Sequence, residues 1–222
     1  MKKSIFIFLL SSVLLFFGTE NLSVAQSAYA DSLMKASMKR LEKIPKYVCD
    51  IKILLDVEWI NIKERTGKAY FYPPDSVNYE IKGFAFLPKK GYNDQLNSVT
   101  EGDYTALLLN KETISGVSCE VIKIIPSDIE SDVVLGQFWI DGNLLIRKMT
   151  FVTRDEGTFN LFLDYGTEKY AVPKKVTVVF DIKNQELPAT MTGDLESAGD
   201  EKPKGEKSKG KIEIYYSNYI FG

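Results

Sequence analysis

Cys49-Asp50-Ile51-Lys52-Ile53-Leu54-Leu55-Asp56-Val57-Glu58-Trp59 alternates apolar and polar residues almost without a break. Successive side chains of a strand point to opposite faces. Cys49, Ile51, Ile53, Leu55, Val57 and Trp59 therefore share one face, and Asp50, Lys52, Leu54, Asp56 and Glu58 the other. Eleven residues make a strand about twice the usual length of roughly five to six. One face is apolar throughout and the other is wet. That pattern belongs to an antiparallel sheet covered on one side, because parallel strands buried on both faces read as continuous apolar runs.

The same alternation recurs along the chain. Val77, Tyr79 and Ile81 alternate with Asn78, Glu80 and Lys82 after a Pro73-Pro74-Asp75 corner. Phe159, Leu161, Leu163 and Tyr165 form another apolar face, and Val176, Val178, Phe180 and Ile182 a further one. Phe138-Trp139-Ile140 and Leu144-Leu145-Ile146 flank Asp141-Gly142-Asn143, a hairpin signal that predicts positive φ at the glycine. Ile212, Ile214 and Tyr216 read as the last strand. Nine to eleven strands in meander order are expected.

Ahead of them, Ala30, Met34, Met38 and Leu41 recur at helical spacing within residues 27–44, with Lys35, Lys39, Arg40 and Lys43 on the other side and Pro45 as the stop. Such a helix covers a core or, alternatively, lies on an anionic membrane. Residues 88–103 read as a loop with a helical turn near Asn93–Leu96, and the charged stretch 188–211 as a mobile hairpin loop. The fold class expected is α+β: one domain over 26–222, a single curved antiparallel sheet forming an incomplete barrel, wrapped on an N-terminal helix with a helical or loop lid.

Residues 1–25 read as a signal peptide. Met1-Lys2-Lys3 gives a cationic start, and Ile5–Phe17 is apolar apart from Ser11 and Ser12. That run reaches roughly 20 Å as a helix, short of a bilayer core of about 30 Å. Small residues then offer cleavage after Ala25 or Ala30. An uncleaved anchor is the alternative. Export to the periplasm follows, with no stable membrane insertion. In an oxidising compartment Cys49 and Cys119 could form a disulfide, or remain two buried apolar thiols.

Composition removes several function classes. Among 222 residues, 28 Lys+Arg against 30 Asp+Glu leave a charge of −2, too little cationic excess for a nucleic-acid binder. There is no histidine, which excludes Ser-His-Asp and Cys-His catalysis and the commonest neutral metal ligand. No phosphate-cradling glycine loop or nucleophile elbow occurs, and Asp141-Gly142 lacks the further acids of a calcium loop. No enzyme, metal site or cofactor is predicted.

One helix of about 27 Å cannot cover nine or more strands spaced about 4.8 Å apart. Either the sheet curls into a closed core, or part of its concave apolar face stays open to a greasy ligand. In the second case Ile51, Ile53, Leu55, Val57, Trp59, Phe71, Tyr79 and Ile81 line the site, with Trp59 near the mouth.

The order of elements resembles the periplasmic carriers of outer-membrane lipoproteins, the LolA-like family. The resemblance is carried by Gly67-Lys68-Ala69-Tyr70-Phe71-Tyr72-Pro73-Pro74-Asp75, the Phe138–Ile146 hairpin and Tyr215-Tyr216-Ser217-Asn218-Tyr219, over most of 27–222. Carriers usually have an arginine where this chain has Tyr72, and an Asp-Gly where it has Lys89-Lys90-Gly91. The resemblance implies an incomplete barrel with a helical lid that holds acyl chains inside. Partners would then be a lipid-modified protein or another acyl-chain ligand, and envelope proteins as donor and acceptor. Relatives with this barrel also serve as lipoprotein receptors or envelope-stress regulators. The alternative function is a structural or regulatory module that binds an envelope protein along a strand edge, without lipid transport.

Overall fold

The computed structural model describes residues 18–57, 64–74, 76–81, 96–97, 99–155, 157–167, 169–182 and 208–222. Helix α1 (Gly18–Leu41) is followed by β1 (Tyr47–Val57), β2 (Glu64–Tyr72), β3 (Ser76–Ile81), β4 (Tyr104–Ile114), β5 (Val117–Pro126), β6 (Val133–Asp141), β7 (Ile146–Thr153), β8 (Thr158–Tyr165), β9 (Pro173–Ile182) and β10 (Ser208–Phe221). All ten strands form one antiparallel sheet in the order β3-β2-β1-β10-β9-β8-β7-β6-β5-β4. The meander is thus interrupted once. β1 and β10, third and fourth in the order from β3, pair with each other, and β3 and β4 are the two edges among the described residues. The sheet is open, an α+β architecture with its helix on the inner face.

The inner-face positions of every strand except the β3 edge contribute to one apolar core, joined by Ala30, Met34 and Leu41 of α1. The helix starts at Gly18, well before the expected residue 27, and ends at Leu41. Its fully buried row is Ala30, Met34, Ser37 and Leu41, so Ser37 takes the place expected for Met38, which is only partly buried. The reason is a hydrogen bond. Ser37 Oγ donates to the Leu144 carbonyl at 2.9 Å.

The Phe138–Ile146 hairpin is present, but its positive φ falls on Leu144 (62°) and not on Gly142. Asp141 explains the shift: its Oδ1 accepts from the amides of Asn143 (2.8 Å) and Leu145 (3.0 Å), closing an Asx-type turn that leaves the left-handed residue at 144. Arg147 Nη2 pairs with the other oxygen of this buried carboxylate at 2.7 Å. In the stretch 88–103, expected to be a loop with a helical turn near Asn93–Leu96, residues 96–97 and 99–100 are helical, Leu96 and Val99 are buried in the core, and Val99 packs beside Gly136 of β6. Only residues 96–97 and 99–103 of that stretch, and 208–211 of the charged loop, lie within the described chain. Asp75 and residues 1–17 of the signal-peptide reading lie outside it.

Candidate functional site

Register places four of the predicted residues, Ile51, Phe71, Tyr79 and Ile81, on three cross-strand rows of the concave face, and pairs a fifth, Ile53, with Arg65. Tyr47, Phe71 and Val77 form one row, Cys49, Ala69 and Tyr79 the next, and Ile51, Gly67 and Ile81 the third. The central strand β2 offers only Ala69 and Gly67 in the second and third rows. Its lack of bulk is what lets β3 side chains lean inward: Ile81 Cγ1 occupies the space a Cβ would need at Gly67.

Coverage across this face is uneven. Ile51 (3% exposed), Ile53 (2%) and Phe71 (6%) are sealed in the core. Leu55, Val77, Tyr79 and Ile81 are only partly buried, and the outer face of β3 (Ser76, Asn78, Glu80) is exposed. The side chain of Val57, and Trp59 altogether, lie outside the described residues.

The helix is anchored at the other end of the sheet. Ser27 Oγ donates to the Ala106 carbonyl (2.8 Å) and the Tyr104 hydroxyl to Asp31 (2.6 Å), both on β4; Arg40 Nη1 reaches the Asn143 carbonyl (2.6 Å). The half-buried Leu55, Val77, Tyr79 and Ile81 lie at the β1–β3 end, farthest in sheet order from the helix contacts, and β4 carries two partly buried residues of its own, Tyr104 and Leu108.

This end carries one cation on the inner face, the partly buried Arg65, which pairs with Ile53 across β1 and β2. Burial, with Asp50 beside it, pushes the Cys49 thiol up to about 12, and burial likewise raises the Tyr79 phenol. A thiol held so high stays protonated and is a poor nucleophile. Cys119 lies in a separate apolar cluster with Val121 and Trp139, on the outer face of β5 and β6. The alternation of the strand explains this, since Ile122 and Ile124 of β5 point the other way into the main core. Both thiols are free, with β1 and β5 far apart in the sheet order, so the pairing reading gives way to two buried apolar thiols.

An aromatic group at the start of β1 was not legible beforehand. Tyr47 stacks on Phe71 with centroids 5.0 Å apart and meets Tyr219 edge-on at 5.2 Å, and Phe221 contacts Tyr170 at 4.7 Å. Strict alternation from Ile214 and Tyr216 would have put Asn218 and Ile220 inside. A bulge opposite Val48–Asp50, with Asn218 at φ 54°, inserts one residue and turns Tyr219 and Phe221 inward instead.

A separate recess of about 420 Å³ opens near the β4–β5 turn, with Arg147, Asp164 and Lys174 beside Ile114, Val117 and Leu163. Its lining is mixed in charge, and Arg147 is already committed to Asp141, so it is not a continuation of the apolar face. Among the described residues, no group of three or more His, Cys, Asp and Glu side chains gathers to hold a metal, and no helix is long and apolar enough to cross a membrane.

No protein-family model matches the sequence, and comparison with curated proteins finds no match. Comparison with solved structures does. A DUF1329 family protein from Desulfovibrio piger superposes with a TM-score of 0.52 at 11% identity, over 88% of this chain and 93% of that one. A LolA superfamily protein from Nitrosomonas europaea gives 0.50 at 11% identity, over 87% and 93%. A domain named as an outer membrane lipoprotein-sorting protein, from Vibrio parahaemolyticus, gives 0.50 at 14%, over 88% and 93%. Identities this low speak for architecture alone, and the architecture of this chain, an open ten-stranded sheet around an N-terminal helix, is the LolA-like fold.

Proposed function

We propose that this protein is a non-enzymatic carrier of the cell envelope, exported to the periplasm by a cleaved signal peptide, that shields acyl chains of a lipid-modified protein or a similar apolar ligand. The observation that carries this reading is the uneven cover of the concave face: Leu55, Val77, Tyr79 and Ile81 are half-buried beside the sealed Ile51 and Ile53. Withdrawing an acyl chain from water onto such a face is worth about 0.8 kcal/mol per methylene. The half-buried side chains are apolar and suited to hydrocarbon, with Arg65 of β2 on the same face beside Ile53. The likeness to a domain named for lipoprotein sorting supports the reading through shared architecture. Trp59, two positions beyond Val57, belongs to the proposed lining by alternation.

Native mass spectrometry of the gently purified protein tests it. A carrier brings lipid with it or takes up an added fatty-acyl probe at one-to-one stoichiometry; a protein that does neither is not a carrier.

A second reading is favoured by β4, a free edge that exposes Leu107 (39%) and Leu109 (42%). There a strand of an envelope protein could add to the sheet, making the chain a binding module without lipid transport. That module would survive the mass-spectrometric test as a lipid-free protein.

A further inference from the structure

Three cations stand on strands β1–β3 among the described residues, and they are not equivalent. Lys52 and Lys68 alternate to the outer face. Each meets a carboxylate of the neighbouring strand there at 2.8 Å, Lys52 with Glu64 and Lys68 with Asp50. Arg65 has the opposite parity. It pairs with Ile53, one row beyond Ile51, Gly67 and Ile81, and is partly buried on the concave face. The acids of these strands, Asp50, Asp56, Glu64 and Glu80, all alternate to the outer side. The charge that the three strands bring to this end of the concave face is therefore positive. An arginine in such a place lays its stem along the apolar surface and keeps its head toward the rim. At that exposed head, Nη1 donates to the Glu64 carbonyl at 2.9 Å. A guanidinium holds five N–H donors in a fixed fork, so this bond leaves it able to receive an oxyanion.

The rows give this end of the face the polarity of an amphiphile. From Phe71, in the row of Val77, to Arg65 is six residues of β2, a reach of about 20 Å at strand rise. A bilayer leaflet holds its acyl chains within about 15 Å, half of the hydrocarbon core. One acyl chain therefore fits between the cation and the Phe71–Val77 row, over the half-buried Ile81, Tyr79 and Val77. Resting on the carrier reading above, we propose that Arg65 is the head-group contact of the site. Its guanidinium takes the oxyanion of an acyl lipid, a carboxylate or a phosphate, while the chain lies along β3, so that the site prefers anionic to neutral acyl ligands.

The test is displacement of the neutral probe N-phenyl-1-naphthylamine from the wild type, Arg65→Gln and Arg65→Lys. Three twelve-carbon competitors are compared at about pH 8, where a carboxylate is ionised: laurate, dodecyl phosphate and methyl laurate. The wild type should bind at least one of the two anions more tightly than methyl laurate. Tighter laurate assigns the head to a free fatty acid, and tighter dodecyl phosphate to a phosphorylated head group. Arg65→Gln should weaken the preferred anion by about three- to tenfold, the range for a charge-assisted bond at a partly exposed site, and leave methyl laurate unchanged. Arg65→Lys keeps the charge without the fork, and should keep the preference for an anion even if the glutamine variant does not fold. Methyl laurate binding the wild type as tightly as both anions would overturn the proposal. So would an anion affinity that Arg65→Gln leaves unchanged, an equal loss for methyl laurate, or an Arg65→Lys protein that prefers methyl laurate. A wild type that takes up none of the probes removes the carrier reading itself.

Discussion

Glu213 and Lys175 face each other across β10 and β9, Nζ to Oε1 at 2.9 Å, with side chains 18% and 24% exposed. The Lys175 hydrogen bond is the first cause holding the Glu213 carboxyl below its ordinary 4.5, and the same bond is the first cause raising Lys175 above 10.5. The signs follow. A depressed acid gives stability that is present above its unfolded pKa and lost as pH falls through the lower folded value; a raised lysine gives stability lost only as pH rises through its higher folded value. Partial exposure limits the pair to about 1 kcal/mol. Glu213→Gln should therefore unfold at a lower urea midpoint than the wild type near pH 7. That gap should close between about pH 5 and pH 3, where the wild-type carboxyl itself takes up a proton. A gap that stays constant through this window would show that the charge of Glu213 contributes nothing.

At the level of single elements, the sequence was most legible where the period-two rule ran undisturbed. β1 spans Tyr47–Val57 against the expected 49–59, and β8 and β9 fall where alternation put them. It was least legible where a local bond or bulge overrides periodicity: Ser37 replacing Met38, Asp141 moving the left-handed residue to Leu144, and Asn218 flipping Tyr219 and Phe221 inward. Of the proposed site, Ile51, Ile53 and Phe71 are buried while Leu55, Tyr79 and Ile81 are partly so, a difference the sequence did not carry because alternation reports the face of a sheet and not how far a neighbouring element covers it. The small residues of β2 carry a prediction of their own. A methyl group at Gly67 would overlap both the Glu80 carbonyl oxygen and Ile81 Cγ1, whereas one at Gly142 meets nothing within 4 Å. The Glu80 carbonyl is backbone and cannot swing aside. Gly67→Ala should destabilise by about 3 kcal/mol in urea unfolding, at the upper end for overpacking. Gly142→Ala, the control, should stay within about 0.5 kcal/mol of the wild type.

Across the whole molecule, the decisive feature is where the meander breaks. Because β1 pairs with β10, the edges of the sheet among the described residues are β3 and β4. The helix is fixed by side-chain bonds at the β4 end, and at the opposite end Leu55, Val77, Tyr79 and Ile81 are only partly buried. Burial thus varies along one continuous apolar face, complete at β1 and β2 (Ile51, Ile53, Phe71) and partial at the β3 edge. Ile53 and Ile81 sample the two regimes with the same side chain: Ile53 is 2% exposed, and Ile81 is partly buried on the edge strand. Ile53→Ala should cost about 2–5 kcal/mol, the range for a sealed aliphatic residue, while Ile81→Ala should cost roughly half as much, because less of its surface leaves water on folding. Ligand affinity should run in the opposite order when measured per folded molecule. Ile81→Ala should weaken displacement of a fatty-acyl probe several-fold, and Ile53→Ala should leave it near the wild-type value under conditions where the variant is folded. If both variants lose binding only in proportion to their unfolded fraction, the β1–β3 end is core like the rest, and the face has no mouth.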